Sequence, residues 1–197
     1  MCSENTHLKV PNGFALSTIA YKRLITDRIK NDLKDLLEDL EVENLNQAKL
    51  DKVSRACRQI VYNASGECDW LRDAIEKAYM NLCQFYCGDT GEEVSIAVRS
   101  SATAEDLPSA SFAGQHDSFL NISGVEEVIE AARKVIASLF TSRAIAYRHN
   151  NDFDHFAVSI SVGFQKMVCS SASGVCFTMD TESGCEDVVR NINSVYT

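Results

Sequence analysis

The stretch VSIAVRSSATAEDLP, residues 94–108, decides the fold because it changes from a strand pattern to a loop pattern within a few residues. Valine and isoleucine alternate with serine and alanine over 94–98, the period of a strand with one buried face. The alternation ends on Arg99, so we expect its guanidinium to point away from the core. Residues 100–108 carry hydroxyls, acids and a proline without an apolar period, which predicts a loop at the end of this strand.

The sequence before this strand has the pattern of helices. Residues 14 to about 88 are predicted to be helical, and between Trp70 and Tyr86 apolar residues recur at spacings of three and four. A loop around Gly88 to Gly91 then breaks the helical period. We therefore predict a helical N-terminal region at 1–92 and an α/β subdomain at 93–197.

The second region alternates strand and helix patterns. Strands are predicted over 117–122 and 156–167, with 175–179 as the hairpin partner of the latter and a final strand near 188–192. Ser123 and Glu126 predict a capping box before an amphipathic helix, which a short basic helix carrying Arg143 and Arg148 follows.

Composition excludes several classes of protein. The 19 basic residues against 28 acidic ones give a net charge of -9, the wrong sign for coating nucleic acid or an anionic membrane. No apolar run approaches the roughly 20 residues that span a bilayer, and the first residues lack a signal-peptide pattern. We therefore expect a cytoplasmic protein whose eight cysteines are reduced and mostly buried. Cys83 and Cys87 lack nearby histidines for a zinc site.

The residues alone suggest a phosphate site at the end of the Arg99 strand. A guanidinium, loop hydroxyls and backbone amides near the glycine of FAGQ, residues 112–115, form a natural phosphate cradle. The alternative is an ordinary loop in which Glu105 or Asp106 pairs with Arg99. The hydroxyls of Ser100, Ser101 and Thr103 are either phosphate donors or loop caps.

Longer sequence motifs favour the phosphate site over an ordinary loop. AVRSSATAEDLP (97–108) and ASFAGQ (110–115) closely resemble the nucleotide-binding region of phosphoenolpyruvate synthases (pyruvate, water dikinases). The resemblance extends to VPNGFA (10–15), QKMV (165–168) and DTESG (180–184). Rifampicin phosphotransferases are similar over the same loop, but they tend to have Asp-Pro where this sequence has DTESG. The resemblance implies the first part of an ATP-grasp-like α/β (α+β) domain, with a mixed or antiparallel sheet and a helical N-terminal region.

The resemblance also implies roles for individual residues. Arg99 would contact the ATP phosphates, and Gly114, Gln115 and Ser118 would belong to the loop that covers them. Gln165, Met167 and Val168 would line the adenine pocket. Ser100 and Ser101 are the remaining residues that we expect to bind ATP. Strand alternation independently places Gln165 and Met167 on the face that small residues leave open.

Other polar residues are given structural roles. We expect Glu105 and Asp106 to order the loop rather than bind metal. His116 is not assigned as a phosphocarrier, because the family's carrier lies in a different domain. His149 and His155 are predicted to be surface polar residues rather than parts of a metal cluster.

The sequence departs from the family pattern at both ends. The family's Gly-Gly-Lys-Asn segment has no counterpart among the first nine residues. The family's second ATP-grasp half with its metal-binding acids, its phosphohistidine domain and its pyruvate-binding barrel would follow Thr197. We therefore expect ATP with Mg²⁺ ligands outside this chain, pyruvate binding only through those domains, and weak or no catalysis by the chain alone. A non-catalytic regulatory module, with a protein partner or in a homo-oligomer, is the alternative.

Overall fold

The protein is described from a computed structural model that covers residues 9–38, 40, 46–103, 106–107, 110–111, 116–177 and 190–194. The chain divides into two compact units, Met1–Met167 and Val168–Thr197. The sheet of the first unit contains strands from before and after residue 92. The domain boundary predicted at residue 92 stays a prediction. No helix in the described ranges is long and apolar enough to cross a membrane.

A four-stranded antiparallel sheet forms one layer of the first unit. Its strands are β1 (Gly13–Leu16), β2 (Ile96–Ala102), β5 (Ser118–Ile122) and β6 (Ile160–Lys166), and their order across the sheet is β1-β6-β2-β5. The central strands are buried on one face by alternating apolar side chains, including Val98, Val162 and Phe164. This arrangement of helices and antiparallel sheet confirms the predicted fold class.

Helices cover the apolar face of the sheet. They are α1 (Thr18–Leu24), α2 (Asp27–Glu38), α3 (Gln47–Gly66), α4 (Asp69–Cys87), α5 (Val125–Ala137) and α6 (Ser142–Asn150), with short 3-10 turns at Gly88–Thr90 and Ser138–Phe140. Three residues of the predicted stripe on α4, Leu71, Ile75 and Leu82, are buried at 2%, 1% and 6% exposure, whereas Tyr86 at its end is 37% exposed. Helices and sheet therefore share one continuous core.

Three stretches of β-structure differ from the prediction. Gly13–Leu16 was assigned to the helical region, but it forms β1 and pairs with Val162–Gln165 of β6. Strand β2 also continues beyond Arg99, because residues 100–102 pair with residues 160–162 of β6 in place of a loop. Both pairings join segments distant in the sequence, which local periodicity does not detect. Strand β3 (Asp106–Leu107), within the predicted loop, pairs antiparallel with β4 (Ala110–Ser111), just after it.

The predicted capping box is also wrong. Helix α5 begins at Val125 after Gly124, which has a φ of +92° and no side-chain cap. Glu126 forms an ion pair with Arg72 of α4 instead of turning back onto its own helix. The predicted strand at 156–167 begins only at Ile160, because residues 155–157 form a turn.

The second unit contains one strand pair. Strand β7 (Ser173–Phe177) pairs antiparallel with β8 (Arg190–Ser194). The prediction that this strand is the hairpin partner of β6 is therefore wrong. The predicted final strand near 188–192 corresponds to β8.

Candidate functional site

The face of the sheet opposite the core carries small residues and one arginine. Arg99 of β2 lies opposite Gly163 of β6, and Gln165 lies opposite Gly13 of β1. A depression of about 460 Å³ forms here. Its lining residues are Pro11, Gly13, Phe14, Ala15, Arg99, Gly163, Phe164 and Gln165. The face is open because its side chains are short, which leaves room for a ligand against the strands.

Gly13 keeps β1 close to β6. A Cβ added to Gly13 would collide with the carbonyl oxygen of Phe164, so glycine is needed at this strand position. On the other face, the rings of Phe14 and Phe164 stack with centroids 4.3 Å apart and planes 11° apart. These contacts hold β1 close to β6.

Arg99 is an exposed cation without a compensating charge among the described residues. No described side chain forms an ion pair or hydrogen bond with its guanidinium. The alternative pairing with Glu105 lies outside the described residues, and Asp106 is described only through its backbone. A guanidinium in this state presents its donors in the fork geometry that suits phosphate.

The structure brings some of the predicted site residues together. Ser118, which the resemblance assigned to the covering loop, is instead the first residue of strand β5 and lies opposite Arg99 in the register. Ser101 follows Arg99 on the same face of β2. Gln165 completes this group two residues beyond Gly163 on the neighbouring strand. Ser100 lies on the other face of β2 by strand alternation, so it is not grouped with Arg99.

The remaining predicted site residues are placed differently. Met167 follows β6, is half-buried, and its amide donates to the carbonyl oxygen of Ser95 at 2.9 Å. Val168 belongs to the second unit and is 59% exposed. Gly114 and Gln115 lie outside the described residues.

Thr103 acts as a cap and not as a free hydroxyl. Its amide donates to the carbonyl oxygen of Ser159 at 2.9 Å, and its Oγ1 accepts from the amide of Ser159 at 3.0 Å. These reciprocal bonds extend the β2–β6 pairing beyond Ala102. Of the two roles considered for the Thr103 hydroxyl, phosphate donor and loop cap, these hydrogen bonds support the loop cap.

The residues just before β5 are tied to the helical layer. Nδ1 of His116 lies 3.3 Å from the carbonyl oxygen of Ser138, and Arg58 of α3 pairs with Asp117 at 3.3 Å. These contacts position Ser118 beside Arg99. His116 is thus part of the support of this strand.

Lys166 at the end of β6 is a cation to which the sequence assigned no role, and by strand alternation it lies on the face of the sheet opposite Arg99. Its Nζ donates to the carbonyl oxygen of Met167 at 3.3 Å and lies 4.9 Å from the ring centroid of Tyr86. The Tyr86 hydroxyl in turn accepts from the amide of Asn12 at 2.8 Å. The sequence signal that could have drawn attention to Lys166 is its position in the QKMV motif that resembles the family.

The predicted surface histidines are less exposed than expected. His149 and His155 are both half-buried, and Nδ1 of His155 accepts from Nε of Arg148 at 3.0 Å. Burial, assisted by the Arg148 charge, lowers the pKa of His155 to about 4. Arg148, predicted on a basic helix, is fully buried. The surface prediction for His155 is therefore wrong, because the turn at 155–157 folds it against α6.

The described residues offer no cluster of three or more His, Cys, Asp or Glu side chains that could hold a metal ion. Cys57 and Cys83 are buried free thiols, and Cys83 Sγ accepts from the amide of Val94 at 3.4 Å. These two thiols have packing roles within the core.

The fold and the site together define an α/β domain with an exposed guanidinium on an open sheet face. The chain belongs to the family of the pyruvate phosphate dikinase AMP/ATP-binding domain, whose model matches residues 1–197. The family assignment confirms the resemblance to phosphoenolpyruvate synthases and supports ATP as the ligand.

Curated relatives point the same way. The chain is 47% identical over 186 residues to a phosphoenolpyruvate synthase of Synechocystis, an alignment that covers 91% of this chain and 22% of the relative. A phosphoenolpyruvate synthase of Aquifex aeolicus is 43% identical, with 96% of this chain and 22% of the relative covered. A rifampicin phosphotransferase of Bacillus subtilis is 45% identical, with 88% and 19% covered. The chain thus spans about a fifth of the length of these relatives.

Proposed function

We propose that the chain is the ATP-binding portion of a phosphoenolpyruvate synthase-like enzyme, which converts ATP, pyruvate and water to phosphoenolpyruvate, AMP and phosphate. The observation that carries the proposal is the unpaired Arg99 guanidinium on an open face of small residues. Such a group forms bidentate, charge-assisted hydrogen bonds with phosphate oxygens. The similarity to phosphoenolpyruvate synthases supports this choice of reaction.

The arrangement of polar groups suits a nucleotide laid along the strands. Arg99, Ser101 and Ser118 supply donors for the phosphates at one position. Gln165 lies about 7 Å further along β6 by the rise of two strand residues, on the side proposed for the adenine. Met167 and Val168 are proposed to line the adenine, and Gly114 and Gln115 to belong to the covering loop.

Mg²⁺ is proposed to arrive with the nucleotide. It prefers phosphate and carboxylate oxygens and keeps much of its water shell. Within the described ranges the acidic residues form no cluster for it, so we propose that its protein ligands lie elsewhere. The metal would neutralise charge on the transferred phosphoryl group.

Chemistry beyond ATP binding is proposed to depend on other parts of a longer protein. Phosphoryl transfer needs positioning and charge neutralisation around the reacting oxygens. Arg99 and its neighbours supply one cation and a few hydroxyls. We therefore propose that pyruvate acts through other domains and that this chain alone turns over weakly or not at all.

Partner and location are proposed from the same enzyme class. Met80 and Phe85 of α4 expose 54% and 67% of their surface, which gives a place for other domains or a second copy to pack. The cytoplasm is the proposed location, where ATP and pyruvate are both available and free thiols persist.

A rifampicin phosphotransferase-like activity is the second candidate, because the Bacillus subtilis relative is 45% identical. The two functions differ in the acceptor of the phosphoryl group. The test incubates the complete protein that this reading frame encodes with ATP and either pyruvate or rifampicin. We expect pyruvate-dependent phosphoenolpyruvate formation that Arg99→Met removes and Arg28→Met, a change of an exposed cation on α2, leaves intact.

Each outcome of this assay decides between the functions. Rifampicin-dependent AMP formation without phosphoenolpyruvate would select the second candidate. ATP binding without either product would select a non-catalytic module. Turnover of pyruvate by the 197-residue chain alone, abolished by Arg99→Ala, would contradict the need for other domains.

A further inference from the structure

Arg148 of α6 is a buried cation whose hydrogen-bonding capacity is mostly unused. Its side chain is 0% exposed, and Nη1 and Nη2 have no hydrogen-bond partner among the described residues. Only Nε is engaged, donating to Nδ1 of His155 at 3.0 Å. Buried guanidinium groups are ordinarily paired, because removing the charge from water costs several kcal/mol, so this one calls for a counter-charge.

The groups around Arg148 do not supply that charge. The ring of Phe140 lies under the guanidinium, with its centroid 5.5 Å from Cζ of Arg148, and carries no charge. Burial raises the pKa of the Tyr21 hydroxyl and raises the pKa of the Cys57 thiol to about 12, so both are neutral at physiological pH. His155 is neutral as well, since its pKa is about 4. The positive charge therefore remains uncompensated.

Arg148 lines a cavity of about 780 Å³ that carries further cations. The remaining lining residues are Lys30, Lys34, Leu37, Glu38, His149, Asp152, Phe153, Asp154, His155 and Phe156. The cavity shares no lining residue with the depression around Arg99. It is therefore a separate feature, formed by α2, the end of α6 and the loop after it.

Two of the three carboxylates in this cavity already have partners. Glu38 pairs with Lys34 at 3.4 Å, and Asp154 accepts from the amide of Phe156 at 2.9 Å. Asp152 is exposed at a φ of +54° and forms no ion pair among the described residues. None of the three pairs with the guanidinium of Arg148.

We propose that this cavity is a binding site for a small oxyanion of the phosphate class, held by Arg148 with Lys30 and Lys34. Lys30, exposed on α2, attracts the anion first, Lys34 exchanges its exposed ion pair with Glu38 for the anion, and Arg148 supplies the buried donors. Because Nη1 and Nη2 are shielded from water, binding includes a rotation of the side chains that cover them. The guanidinium then gains the counter-charge that it lacks.

The test measures binding of inorganic phosphate to the 197-residue chain by calorimetry, at constant ionic strength set with chloride. All titrations use the Arg99→Met background, so that the open sheet face does not contribute. We expect one phosphate site, weakened about tenfold or more by Lys30→Gln with Lys34→Gln, because two charge-assisted contacts are lost. The matched control, Lys52→Gln with Lys77→Gln, removes the same charge from exposed positions on α3 and α4 and should keep the affinity.

A second variant tests the buried donor itself. Arg148→Met replaces an uncompensated buried charge with an apolar side chain, so we expect it to fold and to lose the phosphate-induced rise in melting temperature. Absence of phosphate binding at millimolar concentration would overturn the proposal. Equal weakening by the control pair, full binding in the double-lysine variant, or full binding in a folded Arg148→Met variant would also overturn it. The lysine pair decides the question even where Arg148→Met does not fold.

Discussion

Removal of one hydroxyl in the core should destabilise the fold measurably. The hydroxyl of Tyr79 on α4 donates to the carbonyl oxygen of Val94 at 2.9 Å and accepts from the amide of Gly124 at 3.0 Å. Tyr79 is 0% exposed and Val94 is 4% exposed, so water does not replace the lost hydroxyl at this carbonyl. Tyr79→Phe leaves that carbonyl without its donor, and the half-buried amide of Gly124 loses its acceptor.

The magnitude follows from these two groups. An unsatisfied buried polar group costs about 1–3 kcal/mol, and water partly compensates the Gly124 amide. We expect Tyr79→Phe to lower the free energy of unfolding by about 2 kcal/mol. For a chain of this size, that corresponds to a fall in melting temperature of roughly 4–8 °C.

The assay is urea unfolding followed through Trp70, the single tryptophan, which lies on α4 itself. The matched control is Tyr86→Phe. The hydroxyl of Tyr86 also accepts a hydrogen bond from a backbone amide, but Tyr86 is exposed, so its removal should change the free energy of unfolding by no more than about 0.5 kcal/mol. Equal effects of the two substitutions, or a loss below about 0.5 kcal/mol for Tyr79→Phe, would refute the reasoning.

Two further predictions concern pH and the sheet. Burial and the Arg148 charge hold the pKa of His155 at about 4 against 6.5 when unfolded, so the unfolded chain binds the proton first as the pH falls. The free energy of unfolding should decrease between about pH 6.5 and 4, and urea titrations at pH 7 and 5 should show a smaller decrease for His155→Asn. Gly13→Ala should cost more than about 1 kcal/mol because its Cβ meets the Phe164 carbonyl, whereas Gly163→Ala, whose nearest contact is 3.9 Å, should stay within about 0.5 kcal/mol in the same assay.

Local periodicity predicted the elements that bury one face. The helical stripe of α4 and the alternation of β2 and β6 followed from the spacing of apolar residues, because those faces pack against the common core. The outward direction of Arg99 followed from the same alternation. The strings around it then indicated the nucleotide-binding family, which the family match confirms.

Local periodicity does not predict features that depend on contacts between distant segments of the chain. Strand β1 exists because Gly13 allows close approach to a strand some 150 residues later, and its own four residues carry little strand signal. Arg148 has the sequence context of a surface cation, yet the packing of several helices encloses it. The cap at Thr103 required knowledge that Ser159 lies opposite it. In each case the deciding contact joins segments that only the folded chain brings together.

The most direct test of the central claim is calorimetric titration of the 197-residue chain with Mg-ATP, comparing the wild type with Arg99→Met and Arg28→Met. Hydrogen bonds to charged groups contribute about 1.5–3 kcal/mol, so Arg99→Met should weaken ATP binding by roughly 10- to 150-fold. The fold should be unaffected, because Arg99 is exposed and has no ion-pair partner among the described residues. Arg28→Met, which removes an exposed cation on α2, should bind ATP like the wild type. Equal affinity in all three proteins, or no binding by the wild type, would contradict the assignment of the Arg99 face as the ATP site.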